Sequence, residues 1–190
     1  MKRDEALTIL YQYVNKRTLI NHMFSVEAAM RFYAKKLGQD EEMWGICGLL
    51  HDFDYEIHPD LDRHPQEGAQ ILKRHHVPDE IVFAILSHAD HTGVPRNNLM
   101  RKALNACDEI TGLITACVLV RPTKSIMDLS VKSVKKKWPS KHFAAGADRD
   151  EIIQAAADFG VELWEHVANV ITAMQSIAGE ISLDGSLLNQ

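Results

Sequence analysis

With 190 residues, 46% of them apolar and 25% charged, the chain has the length and composition of one ordinary globular domain, which excludes disordered, collagen-like and coiled-coil readings. A net charge of -5 leaves no electrostatic footprint for dedicated nucleic-acid binding or for an acidic membrane surface. The longest weakly polar run, Ile110 to Val120, contains Thr111, Gly112 and Thr115 and is about half of the roughly 20 apolar residues that a membrane span requires.

The opening MKRDEALTIL places two acids after its basic residues and has no apolar targeting core, so a cytoplasmic protein is expected. The helical reading begins at about Thr18, where Met23, Val26, Met30 and Tyr33 or Ala34 recur every three or four residues and Gly38 supplies a C-cap. Asp40 caps a segment running to about His51. Pro65 sits in the first turn of a helix ending near His75, and Pro78 opens another ending near His88. A longer helix starts after Asn97 or Asn98 and runs to Arg121, where Pro122 stops it. Asp148 and Asp150 precede a helix ending at Gly160, and Leu163, Val167, Val170 or Ile171 and Met174 mark one face of a last helix, Leu163 to Ile177.

Strand-like alternation is scarcely visible. The fold class is therefore all-α, an irregular bundle of roughly seven to nine helices. No repeat or linker divides it, so residues 1–190 read as one domain. Its core covers about 18–120 and a helical extension about 121–178, which includes the basic KSVKKKWPSKH stretch. The tail, 179–190, either frays or docks on a neighbouring subunit.

The chain holds 10 histidines, and their positions carry more information than their number. One His-Asp dipeptide is expected by chance at this composition. Here His51-Asp52 ends one predicted helix, His22 lies inside another, His64 precedes Pro65, His88 ends a further helix and Asp108 lies inside the long one. Cys47, Cys107 and Cys117 are odd in number and form no CxxC pair. Reduced, buried thiols are expected of them, with neither a disulfide framework nor a zinc ribbon.

Read together, INHMFSVEAAMR, GLLHDFDYE, HPQEGAQIL, AILSHAD and ALNACDEITGL resemble the H...HD...H...H...D pattern of the HD-domain superfamily of metal-dependent phosphohydrolases. The resemblance covers about Thr18 to Leu119 with specific motifs, and the whole chain looks most like the small stand-alone HD hydrolases. HPQEGAQIL followed by SHADHTGVP is also similar to the HD-GYP subgroup, but that subgroup's DGxGYP loop is missing, which weighs against cyclic-dinucleotide hydrolysis. The resemblance implies the ligand set His22, His51, Asp52, His64, His88 and Asp108, holding one or two divalent transition-metal ions.

Imidazole and carboxylate donors suit Mn, Fe, Co, Ni or Zn, and the absence of thiolates argues against a structural zinc or iron-sulfur site. If His22, His51 and Asp108 hold one ion and His64 and His88 the other, Asp52 is placed to bridge them. A mononuclear enzyme would instead free His64 and His88. Metal-activated water then hydrolyses a phosphoester of a small phosphorylated metabolite or nucleotide. Two rivals use the same residues: a dinuclear-iron oxygenase that cleaves a C-C or C-P bond, and a nucleotide-binding module without turnover.

Around this set, Asp52 and Asp54 are the catalytic candidates, with Asp54 and Glu56 read as loop acids that orient water or protonate a leaving group, or are simply solvated. Arg96 and His91 are candidate substrate contacts, and the basic residues Arg121, Lys124, Lys132 and Lys135 are weaker candidates for phosphate binding. Thr111, Gly112 and Thr115 share a helix face with Asp108, either as a substrate approach or as close packing. Trp44, Trp138 and Trp164 read as core or half-buried. His58, His75, His76, His142 and His166 have no partner legible in the sequence. A homodimer suits a helical enzyme of this size.

Overall fold

Caps at several helix ends fall close to where the sequence places them. The computed structural model describes residues 1–140 and 142–189, and among these there are nine α-helices and no strand. They are α1 (Arg3–Tyr13), α2 (Arg17–Leu37), α3 (Glu41–Leu50), α4 (Gln66–Arg74), α5 (Asp79–His88), α6 (Leu99–Leu119), α7 (Val131–Lys137), α8 (Arg149–Phe159) and α9 (Leu163–Gln175). Gly38 ends α2 in the left-handed region at φ 64°, a conformation that costs a glycine nothing. Asp40 accepts from the backbone N–H groups of Glu42 and Met43 at the start of α3, and Asp148 does the same for Asp150 and Glu151 at α8. The long α6 stops at Leu119, two residues short of its expected end at Arg121, because a residue that precedes a proline is pushed out of the helical region.

Two helices escape the periodicity. In α1 only Ala6, Ile9 and Leu10 are buried, too narrow a stripe to stand out. In α7 the lysines hide a single buried Val134. The side chains of Lys132, Lys135, Lys136 and Lys137 are exposed.

The core is built around α2, which packs on α3, α6 and α9. Met23, Val26, Met30, Tyr33 and Ala34, the stripe expected on α2, are all buried. The α2/α3 contact is unusually close: a Cβ added at Gly48 would stand 2.9 Å from the backbone of Val26 and Glu27. Beside it the buried Glu27 carboxylate takes a two-pronged pair of hydrogen bonds from Arg3 and one from Arg31, so α1 is tied to α2 by a charge pair that satisfies an otherwise costly buried acid.

The described part of the tail packs back on its own chain. Ile181 and Leu183 are buried, the Leu183 carbonyl accepts from Ile126 N–H at 2.7 Å, and Asp184 bridges Ser125. The segment after α9 is instead fastened to its own chain by Arg17 and Asn21, which donate to the carbonyls of Glu180 and Ile181. The three cysteines are buried and unpaired by disulfides. Trp44 is buried, while Trp138 and Trp164 are half-buried and meet edge to face at 5.1 Å. Among the described residues, no helix is long and apolar enough to cross a membrane.

Candidate metal centre

Six side chains from five parts of the chain converge at one point. The Nε2 atoms of His22, on α2, and His51, at the end of α3, lie 3.2 Å apart. Asp108, on α6, places Oδ1 3.0 Å from the first and 3.4 Å from the second. Next to this group, His64 and His88 hold their Nε2 atoms 3.3 Å apart, just before α4 and at the end of α5. Asp52 lies between: Oδ1 is 3.3 Å from His64 and 3.4 Å from His88, while Oδ2 is 3.6 Å from His51 and 3.9 Å from His22. The ligand atoms of His22, His51 and Asp108 form one group and those of Asp52, His64 and His88 another, each with all members within 4.8 Å of one another.

The protons account for what such a cluster can hold. His51 and His88 donate Nδ1–H to the carbonyls of Gly48 and Ile85, each three residues back in its own helix. These are carbonyls that a helix end leaves without intrahelical partners. His64 donates Nδ1–H to the Asp54 carboxylate at 2.9 Å. The Thr111 hydroxyl gives its own proton to the Asp108 carbonyl and is left to accept from His22 Nδ1 at 3.3 Å. All four rings therefore turn an Nε2 lone pair inward, beside two carboxylates. Six acceptors at these separations repel one another unless a cation lies among them, and this donor set fits divalent transition-metal ions. Helices α3 and α5 also end at the cluster, so their negative ends add to the attraction.

Without a metal, protons take the cation's place. Burial pushes the Asp52 and Asp108 carboxyls up, but the neighbouring imidazoles, His51 foremost, outweigh it and hold both well below the usual carboxylate range. Burial pulls His51, His64 and His88 down, yet the carboxylates prevail and raise all three, His64 to about 9. The centre thus has high affinity for positive charge, of which a metal ion is the stronger competitor.

The outer candidates fall differently. Asp54 does not face a leaving group: it is fully buried, accepting from His64 and from Gly68 N–H. Glu56 is spent on the backbone N–H groups of Asn15 and Lys16. Arg96 lines a groove beside His88 and Asp108, but its guanidinium donates to the carbonyls of Ser87 and His88 and pairs with Asp90. His91, in a short 3-10 turn, is exposed and its Nε2 lies 3.1 Å from the His64 carbonyl. Asp90, Glu109, Glu151 and Asp158 also line this groove. Burial and a hydrogen bond with Glu151 push Glu109 up to about 7.

His22 and Gly112 border a second cavity. Arg121 is paired with Asp128, Lys124 donates to the Leu119 carbonyl, and Lys135 lies over the Trp164 ring. None of these, nor Lys132, lines either cavity. Among the five remaining histidines, His166 is fully buried, accepting from Tyr33 hydroxyl and donating to the Ala106 carbonyl. Sequence reasoning missed Gly68 as a support. It also missed the bond between Thr111 and His22, although Thr111 was on the right helix face.

This geometry agrees with the family comparison. The sequence model of the HD domain matches residues 19–113, and the chain belongs to the HD domain family. Curated relatives include ribonuclease Y of Desulfotalea psychrophila, 27% identical over 76% of this chain and 27% of that protein. Ribonuclease Y of Lactobacillus acidophilus is 30% identical over 50% of this chain and 17% of that protein, and that of Nitratiruptor sp. 27% identical over 87% and 33%. The chain thus spans a third or less of the length of these relatives. No solved structure matches it.

Proposed function

We propose that this protein is a metal-dependent phosphohydrolase acting on small phosphorylated compounds, with one ion held by His22, His51 and Asp108, another by His64 and His88, and Asp52 shared between them. The observation that carries this reading is the set of four inward Nε2 lone pairs whose Nδ1 protons are all committed elsewhere. Divalent ions held there supply Lewis acidity toward a phosphoryl oxygen and lower the proton affinity of a nucleophilic water.

The protein's own part is to fix the donors. Asp52 offers one oxygen to each histidine pair. Thr111 and Asp54 lock the His22 and His64 rings, which makes them positioning residues. Arg96 braces the end of α5 and so the His88 backbone.

The name of the relatives favours a second reading, cleavage of a phosphodiester in RNA. Against it, Asp90, Glu151 and Asp158 line the groove beside His88, where a polynucleotide backbone would meet like charge. The test compares p-nitrophenyl phosphate, bis(p-nitrophenyl) phosphate and a short RNA as substrates. Asp52→Ala should lower turnover by about 100-fold or more while leaving the helical circular dichroism intact. Undiminished turnover in that variant would overturn the mechanism, and turnover of RNA alone would select the second reading.

A further inference from the structure

The cavity on the His22 side has a volume of about 590 Å³, within the range of pockets that enclose a small ligand. Its walls come from three parts of the chain: Asn21 and Ser25 of α2, Gly112 and Leu119 of α6, and Ile181 and Leu187 of the segment after α9. Among the described residues of the lining there is no carboxylate. The one charged side chain among those described residues is Arg17, whose guanidinium donates to the Glu180 carbonyl. A mostly apolar space therefore opens directly beside one of the proposed metal ligands.

Gly112 supplies the second observation. It lies within α6, one turn beyond Asp108, although glycine is among the poorest helix formers. Packing does not require it: a Cβ at Gly112 would meet no atom within 4 Å, whereas one at Gly48 would stand 2.9 Å from backbone and one at Gly68 would stand 2.4 Å from the Asp54 carboxyl. Gly112 lines this cavity, and it also lines a more open depression beside His22 and Asp108.

We infer that this cavity receives the organic group of the phosphoester, and that Gly112 and the segment from Ile181 to Leu187 set its specificity for uncharged, largely apolar groups of at least ring size. The inference rests on the metal-centre reading and adds the substrate class. With the phosphoryl group at the centre, the carried group extends past Gly112 and lies against Leu119, Ile181 and Leu187. A leucine at position 112 would reach into that path, its Cβ meeting no atom within 4 Å.

The test titrates metal-loaded protein with phenylphosphonate and methylphosphonate, and measures the metal content of each variant. Wild type is expected to bind phenylphosphonate about tenfold or more tighter than methylphosphonate. Gly112→Leu should remove that preference while keeping its metal, its thermal midpoint and its methylphosphonate affinity. Gly112→Ala should show a smaller loss, and Leu187→Ala should weaken phenylphosphonate alone. An unchanged preference in Gly112→Leu would overturn the inference and leave the metal centre standing. Failure of both phosphonates to bind metal-loaded wild type would remove the phosphohydrolase reading, and this one with it.

Discussion

Asp54 accepts the Nδ1 proton of His64 at 2.9 Å from a position with no exposure of its own. Its other oxygen accepts from Gly68 N–H at 3.1 Å, so the carboxylate is clamped from below and the ring can turn only its Nε2 toward Asp52. An asparagine here can satisfy one of the two donors but not both, because its amide nitrogen must face either His64 or Gly68. Asp54→Asn should therefore weaken metal binding by about 10–100-fold with little loss of helix, as read by metal titration and circular dichroism. Equal metal affinity would show that the ring is held by something else.

The His22 and His51 rings meet because α2 and α3 approach backbone to backbone at Gly48. Gly48→Ala forces the helices apart, and overpacking of this kind costs about 1–3 kcal/mol. Urea unfolding should show that loss, together with weaker metal retention. A neutral effect would mean that the interface yields elsewhere.

His166 gives the fold a pH dependence independent of the ligands. Burial lowers its pKa, and the hydrogen bond to the Ala106 carbonyl only partly offsets this. The fold thus favours the neutral ring. Its contribution is complete above the unfolded value of about 6.5 and declines as pH falls below it, at up to about 1.4 kcal/mol per pH unit. His166→Gln can reproduce both hydrogen bonds without titrating. The difference in unfolding free energy between pH 7.5 and 5.5 should be smaller in the variant than in wild type, and equal differences would contradict the assignment.

Much of this is legible in the sequence. Asp40 and Gly38 act through local capping chemistry, so the ends of α2 and α3 follow from a few adjacent residues. The six clustered side chains were legible because each stands in a distinctive local motif. Asp54 does stand in the loop after α3, but its burial and its partner depend on Gly68, 14 positions away, which no periodicity reveals. His166 found partners on α2 and α6, and the tail's docking depends on Arg17, Asn21 and Ile126. Contacts made across such distances in the chain leave no local signature.

Elemental mass spectrometry of protein purified without chelator and without air tests the central claim most directly. The account predicts close to two transition-metal ions per chain in wild type and a clear loss in Asp52→Ala, whose carboxylate serves both groups. A chain that retains no ion, even after addition of Mn, Fe, Co or Zn, would contradict the assignment of these six residues as a metal centre.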